Sequence, residues 1–444
     1  MATERNTARL GDRLAVWQTR GAGRGGARVL HPMPDLPMGG DPDRAEGWIA
    51  GGLWDDPAAQ TFGWLSDLAA RGDETAGRFA AAALAQWTER WGRGDGWTPG
   101  FTGRRLLHWI AHARFAHPRG VPLASLDALT HQAAFLARRW HRSPDRLVAL
   151  AGLAVASHAL ERPALRPDAE RVARALRPVP LPPDALPDAL TALLAIRLCW
   201  PDAPTAPFLA ELVPAVRAAR HPTGHLTRLW GGTGGDPAQI DAALALANLR
   251  AAPPACTGLK RLARGGTTVI LRTDAPLPFE MSSGRHPVIV ATPEGLATPQ
   301  IRDTPLRRPP ARQVAGDGYS LSAAHSGWKG VVHRRRLTLS PDGTTLTGQE
   351  AFEGRGRATR HISVHFPLAP GLTVTEDENG LHLQLPTGVV WTFDAPDMPV
   401  LATHPLRIVI HRAVDRLPAR LDWTLTRRDA TAQRTEHQTT GEMA

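Results

Sequence analysis

The sequence predicts a helical first half followed by a β-sheet second half. In the first half, apolar residues recur at helical spacing, as in the stripe of Phe62, Leu65 and Leu68. In the second half, polar and apolar residues alternate with a period of two, as in residues 331–339. The pattern changes near Pro253, after the string A-A-P-P-A-C-T-G. We therefore expect helical hairpins, arranged as an array or a toroid, and then an antiparallel β-sandwich.

Chain length favours two domains, because 444 residues exceed what one hydrophobic core usually supports. The predicted boundaries give an N-terminal arm at residues 1–52, a helical domain at residues 53–252 and a sheet domain at residues 253–444. Glycine and proline punctuate residues 21–52, so we expect little regular structure there.

Helix start signals support the assignment of the first half. Ser143 before Pro144 and Asp236 before Pro237 predict N-caps with proline in the first turn. The later helices are predicted at residues 102–115, 123–140, 143–160, 168–176, 184–200, 204–219 and 236–249. No fixed sequence period is present, so a tandem-repeat solenoid is not predicted.

Turn chemistry separates the strand-like runs of the second half. The strings D-G at 342–343, N-G at 379–380 and P-T-G at 386–388 are hairpin signals. The run at 358–368 is half polar, so its two strand faces differ. The apolar face carries Ile362, Val364 and Phe366, and the polar face carries His361, Ser363 and His365. This polar face is a candidate ligand site, although imidazoles on a sheet also serve as hydrogen-bonded structure.

Composition limits the classes of partner. The formal net charge is +10, and only Lys260 and Lys329 are lysines, so arginine supplies nearly all of the 52 basic residues. A positive field favours anionic partners, either acidic polysaccharide or nucleic acid, without choosing between them. With two cysteines, a disulfide framework and a cysteine-based zinc site are excluded.

Targeting signals are not evident in the sequence. Residues 1–20 lack an apolar segment of signal-peptide length, and no run of about 18 apolar residues occurs. We expect a cytoplasmic protein without a membrane span, or a periplasmic one if the start codon is misassigned. The sequence does not decide the oligomeric state.

Six strings, in order along nearly the whole chain, resemble the heparinase II/III-like family of polysaccharide lyases. They are F-G-W-L-S-D-L (62–68), G-R-R-L-L-H-W-I-A-H-A (103–113), R-H-P-T-G-H-L-T-R-L-W-G-G (220–232), F-E-M-S-S-G (279–284), A-A-H-S-G-W (323–328) and R-H-I-S-V-H-F-P (360–367). The resemblance implies an incomplete α/α toroid packed on a β-sandwich, with a cleft for an acidic glycan.

The resemblance also implies β-elimination. A base removes the C5 proton of a uronic acid, a further group neutralises the carboxylate, and an acid protonates the leaving oxygen. Family members supply an Asn or His and a Tyr from the toroid and a His from the sandwich. Here Asp145 and Arg146 stand at the Asn-His position, residues 176–190 contain neither Tyr nor His, and the only tyrosine is Tyr319. A tyrosine acid on the toroid is therefore excluded.

Three residues remain as candidates for proton transfer: Tyr319, His325 and His365. Tyr319 and His325 are six positions apart and could share a strand face as a substitute acid/base pair. His365 matches a histidine position that the family retains.

Candidate substrate-binding residues are cationic or aromatic, because a uronate needs its carboxylate neutralised and its ring stacked. They are Arg105, Trp109, His141, Arg142, Arg146, His225, Arg228 and Trp230. The last three lie in a glycine-rich segment at the predicted helix-to-strand transition. His108 and His112 have the i, i+4 spacing of a metal pair but lack a third ligand, so we predict no cofactor, and a divalent metal only with an incomplete ligand set.

The favoured function is binding of acidic, uronate-containing polysaccharide, with β-elimination left open. The alternative is a catalytically degenerate glycan-binding or scaffold protein. A third class, non-specific nucleic-acid binding, rests on the net charge alone and is the least favoured.

Overall fold

The computed structural model describes residues 8–22, 27, 29–176, 185–250, 258–307, 309, 312–354, 360–378, 380–397 and 399–428. Within them, helices precede strands. The helices are α1 (Leu10–Thr19), α2 (Pro42–Ala50), α3 (Trp64–Arg71), α4 (Glu74–Trp91), α5 (Pro99–Ala111), α6 (Ala113–Ala116), α7 (Leu123–Arg139), α8 (Arg146–Ala159), α9 (Ala169–Ala175), α10 (Leu186–Cys199), α11 (Ala206–Ala219) and α12 (Pro237–Ala247). None of these described helices is long and apolar enough to cross a bilayer.

The strands follow in sequence order. They are β1 (Leu259–Arg264), β2 (Thr267–Arg272), β3 (Phe279–Ser283), β4 (His286–Ile289), β5 (Thr298–Ile301), β6 (Arg312–Gly316), β7 (Ser320–Trp328), β8 (Val331–Leu339), β9 (Thr345–Gly354), β10 (Arg360–Pro367), β11 (Thr373–Asp377), β12 (Gly380–Gln384), β13 (Val390–Asp394), β14 (Pro399–Thr403), β15 (Leu406–Val414) and β16 (Ala419–Arg428). The chain divides into two compact units. The helical unit contains α1–α10, α12 and α11 up to Pro214, and the strand unit contains Ala215–Gly235 and all the described strands.

Two helix starts differ from the sequence prediction. The prediction that Ser143 caps α8 is wrong, because Ser143 instead forms a turn in which its hydroxyl accepts from Asp145 N. Asp145 is the cap, and its carboxylate accepts from Val148 N. The expectation of little regular structure in residues 21–52 is wrong for α2, where Asp41 caps a helix with Pro42 in its first turn. Asp236 caps α12, with Pro237 in the first turn, as predicted.

Aromatic rings form the core of the helical unit. Phe62 lies at its centre, with ring centroids 5.3 Å from Trp64, 5.3 Å from Trp87 and 5.4 Å from Trp109. All four side chains are fully buried. Edge and tilted ring contacts of this kind add to the gain from burying apolar area, so this cluster holds α3, α4 and α5 together.

The described strands pair antiparallel in three sheets. Their orders are β1-β2-β3-β4, β14-β15-β10-β5 and β11-β12-β13-β16-β9-β8-β7-β6. Phe279, Phe366 and Trp423 come one from each sheet, and the Trp423 ring centroid lies 5.6 Å from Phe279 and 5.0 Å from Phe366. One hydrophobic core therefore joins the three sheets.

Hairpins and alternation in the strand unit match the prediction. The turn at 342–343 joins β8 to β9 and the turn at 386–388 joins β12 to β13. Residue 379 of the third predicted turn lies outside the described residues. Along β10, Ile362, Val364 and Phe366 are buried, whereas His361 is exposed. The predicted two-faced strand is confirmed.

Candidate functional sites

A cationic cluster, formed by His141, Arg142 and Arg146, lies in the helical unit between the end of α7 and the start of α8. The short 3-10 turn Trp140–Arg142 follows α7 and exposes His141 and Arg142, and α8 begins with exposed Arg146. Among the described residues, neither Arg142 nor Arg146 has a hydrogen-bond or ion-pair partner. Three of the predicted substrate-binding residues therefore lie at one surface, and two of them are unneutralised.

The charges of this cluster act on His141. Partial burial lowers the pKa of the His141 imidazole, and the guanidinium groups of Arg142, Arg139, Arg171 and Arg146 lower it further. Arg139 is paired with Asp12 and Arg171 with Asp168. His141 is thus a neutral imidazole surrounded by positive charge at pH 7.

Asp145 stands beside this cluster but is already neutralised. Its carboxylate accepts a 2.7 Å hydrogen bond from Arg104 Nη2 and caps α8 by accepting from Val148 N. The repulsion expected between an unpaired aspartate and a substrate carboxylate is therefore reduced.

Arg105 and Trp109 lie inside the helical unit rather than on a surface. Arg105 is 2% exposed, and its guanidinium lies 4.4 Å from the Trp87 ring. It donates to Gln132 Oε1 at 2.6 Å and to Gln60 O at 3.0 Å. The Trp109 ring is in edge contact with Trp87. Arg105 and Trp109, both predicted to contact substrate, are therefore buried parts of the hydrophobic core.

His108 and His112 share one hydrogen-bond partner, the hydroxyl of Ser66. The Ser66 hydroxyl lies 3.0 Å from His108 Nδ1 and 2.9 Å from His112 Nε2. Because Ser66 has one hydroxyl proton, it donates to one imidazole and accepts from the other. Burial lowers the pKa of His108 to about 3 and that of His112 to about 4. Among the described residues, no group of three or more His, Cys, Asp or Glu is placed to hold a metal ion.

A buried carboxylate organises the glycine-rich loop of the strand unit. Glu280 on β3 accepts from Thr227 Oγ1 at 2.6 Å, from Arg228 N at 3.2 Å and from Ala291 N at 2.9 Å. His221 Nε2 also donates to it, at 3.1 Å. The sequence strings contained His221 and Glu280, but nothing in either string indicated that they meet.

The predicted ligand residues of this loop lie close in sequence but have separate contacts. His225 Nδ1 donates to Gly235 O at 2.9 Å, which closes the loop. Trp230 is partly exposed, and the Arg272 guanidinium lies 4.7 Å from its ring centroid. Arg272 Nη1 donates to Leu229 O. Trp230 is the accessible member of the two predicted stacking tryptophans.

His325 belongs to a buried network in the strand unit. Gly327 N donates to His325 Nδ1, so the neutral imidazole donates from Nε2 to His333 Nδ1 at 3.1 Å. His333 Nε2 then donates to Glu350 Oε2 at 2.7 Å, and Arg335 Nε donates to Glu350 Oε1. Burial is the main cause that lowers the pKa of His325 to about 3.

Tyr319 and His325 are not brought together. Tyr319 is exposed beside the Arg264 guanidinium, which lies 4.6 Å from its ring centroid, whereas His325 is 1% exposed. Six residues of extended chain separate them by about 20 Å. The geometry therefore does not support the predicted acid/base pair.

His365 is half-buried on β10. Its Nε2 lies 2.9 Å from Ser363 Oγ, and its buried Nδ1 has no partner among the described residues. Burial, then Arg407 and His411, lower the pKa of His365 to about 4. Its imidazole is therefore neutral at pH 7, and these surroundings disfavour its protonated form.

These features define a helical region followed by an antiparallel β-rich region, and solved structures show the same fold. A mutant of heparan sulfate lyase HepC from Pedobacter heparinus is 12% identical, with a TM-score of 0.53 over 94% of this chain and 89% of that chain. A heparinase III gene product is 12% identical, with a TM-score of 0.52 over 97% of this chain and 86% of that chain. The predicted α/α toroid followed by an antiparallel β-sandwich is confirmed.

The resemblance to the heparinase II/III-like family is confirmed as well. Residues 294–440 match the family model described as heparinase II/III-like, C-terminal. A search of curated protein sequences found no match. Of residues 176–190, where the family's tyrosine segment is expected from the sequence, residues 177–184 lie outside the described part of the chain.

Proposed function

We propose that this heparinase II/III-like protein binds acidic, uronate-containing polysaccharide through the cationic cluster of His141, Arg142 and Arg146. The supporting observation is that Arg142 and Arg146 are exposed and have no partner among the described residues. A guanidinium binds a carboxylate through two parallel hydrogen bonds, so two free guanidiniums on one surface suit a polymer of sugar acids.

Binding is better supported than cleavage. Elimination needs a base and an acid at one reacting sugar. The His325 side chain is buried, and Tyr319 is exposed about 20 Å of extended chain away from it. Elimination with His365 as the base is a second candidate function, because the buried Nδ1 of this imidazole has no partner among the described residues.

Binding is tested by calorimetry with heparan sulfate, hyaluronan and alginate, and with dextran as a neutral control. We expect the Arg142→Ala/Arg146→Ala variant to lose about tenfold or more in affinity, which corresponds to about 1.4 kcal/mol. The matched control is Arg93→Ala/Arg119→Ala, which removes two exposed arginines elsewhere in the helical unit. Equal losses in both variants would contradict the proposal.

The other functions give different results in the same assays. Elimination produces an unsaturated sugar that absorbs in the ultraviolet. If the protein cleaves its substrate, this absorbance should appear with the wild type and be lost in the His365→Ala variant. Nucleic-acid binding through charge alone would ignore sequence and weaken steeply with salt. Retention of DNA with no preference for uronate polymers would overturn the proposal.

A further inference from the structure

A groove of about 380 Å³ lies on β6–β9 within the strand unit. Its volume falls in the range of roughly 300–1,000 Å³ that is usual for small-ligand sites. The polar side chains that line it are those of Asp317, Ser320, Ser322, Arg334, Arg336 and Gln349.

Strand alternation puts two arginines into this groove. In the run of three arginines, Arg335 is fully buried, so Arg334 and Arg336 project from the opposite face of β8. Ala324 and Ala351 are the neighbours of Arg334 on β7 and β9. These short side chains leave space beside the guanidinium.

The groove presents hydrogen-bonding groups that the described part of the chain does not use. Arg336, Ser322 and Gln349 form one row across β7, β8 and β9, and none of their side chains has a partner among the described residues. Arg334 has one ion pair, to Glu353 at 3.8 Å. Two like charges about 7 Å apart on a strand repel each other unless an anion lies between them.

A carboxylate marks the other end of the groove. Asp317 accepts from Tyr319 N, from Ser320 N and from the Ser320 hydroxyl. These donors hold the pKa of Asp317 below its usual value, so it is ionised. A ligand that is anionic throughout would be repelled there, whereas a sugar hydroxyl could donate to it.

We propose that the groove binds a single sugar unit carrying one anionic group. Its carboxylate, sulfate or phosphate ester lies against Arg334 and Arg336, and its hydroxyl groups contact Gln349, Ser322 and Asp317. The ligand class rests on the proposed function, and the groove adds a second site to it.

Calorimetric titration of the full chain tests this inference with glucuronate, glucose 6-phosphate, glucose and sodium sulfate. We expect glucuronate or glucose 6-phosphate to bind with one site per chain and at least tenfold more tightly than glucose or sulfate. Whichever of the two anionic sugars binds more tightly identifies the source of the anionic group. Arg336→Ala should lower that affinity at least tenfold, and Arg336→Lys should lower it less.

Arg416→Ala is the matched control, because Arg416 is an exposed arginine elsewhere in the strand unit. Equal losses in Arg336→Ala and Arg416→Ala would overturn the inference, as would sulfate binding as tightly as the sugars or no binding of either anionic sugar. The Arg142→Ala/Arg146→Ala variant should keep sugar binding in the groove. If polymers fail to bind while glucuronate still binds the groove, the proposed function fails and this inference stands.

Discussion

His221 and Glu280, 59 residues apart in sequence, are joined by a hydrogen bond of 3.1 Å between His221 Nε2 and Glu280 Oε2. Glu280 is 2% exposed, so its charge is stabilised by donors and not by water. His221, Thr227 and Arg228 N are donors from one loop segment, and Ala291 N is a donor from another. One carboxylate therefore fixes the loop that carries Trp230.

Glu280→Gln should lower the free energy of unfolding by about 1–3 kcal/mol, because an amide keeps the shape but offers fewer acceptor sites to four donors. Urea unfolding measures the change. Glu353→Gln is the control, since the Glu353 side chain is 53% exposed and its loss should change stability by less than about 0.5 kcal/mol. Equal effects of the two changes would refute this account of Glu280.

Arg335→Ala should cost about 3–5 kcal/mol, because it leaves Glu350 as an unpaired buried charge. Arg336→Ala, one residue along β8, removes an exposed guanidinium and should be nearly neutral for stability. Thermal or urea unfolding of the two variants compares them directly. A well-folded Arg335→Ala protein with wild-type stability would show that the network is dispensable.

Arg105→Ala should act on stability and not specifically on glycan binding. Burial lowers the pKa of Arg105 to about 9, and its side chain fills space between Trp87, Gln132 and Gln60. A loss of about 3–5 kcal/mol in unfolding free energy is expected from the cavity and the orphaned acceptors. Arg93→Ala is the exposed control. A stable Arg105→Ala protein with weakened polysaccharide binding would restore the sequence-based prediction for this residue.

Stability should fall as the pH drops from about 6.5 to about 3, because His108 and His112 are held neutral in the fold. Their folded pKa values lie below the unfolded value, so the unfolded chain binds more protons in this window. The stabilisation is present above pH 6.5 and is lost as the pH falls. Unfolding free energies measured at several pH values give the slope.

His108→Asn/His112→Gln should reduce that slope, and His325 and His365 should supply the part that is left. Ser66→Ala should lower stability by about 1 kcal/mol and keep the slope. His404→Gln changes an exposed histidine and is the control. An unchanged slope in the double variant would assign the pH dependence to other groups.

Local patterns predicted the elements because the forces that set them are local. The alternation of β8 and β10 and the Asp-Pro start of α12 are properties of a few neighbouring residues. The same Asp-Pro signal stands at 41–42, where the glycine and proline content obscured it.

The sites depend on contacts between distant residues, and their prediction was correspondingly weaker. His325 meets His333 because of the β7–β8 register, and His221 meets Glu280 because a loop folds back on β3. No spacing in the sequence encodes either contact. Arg105 and Arg142 are both arginines in helical surroundings, yet one is enclosed by tryptophans and the other is exposed. Only tertiary packing distinguishes them.

Strand β8 presents a buried network on one face and the residues of the proposed binding groove on the other. Shifting it by a single residue would bring Arg334 and Arg336 inward and turn His333 and Arg335 to the surface. Insertions or deletions within residues 331–339 should therefore unfold the strand unit, whereas point changes at 334 and 336 should change only the surface of the proposed groove. Substitutions at those two positions can therefore change the ligand preference of the proposed groove while the buried side chains of β8 keep their packing.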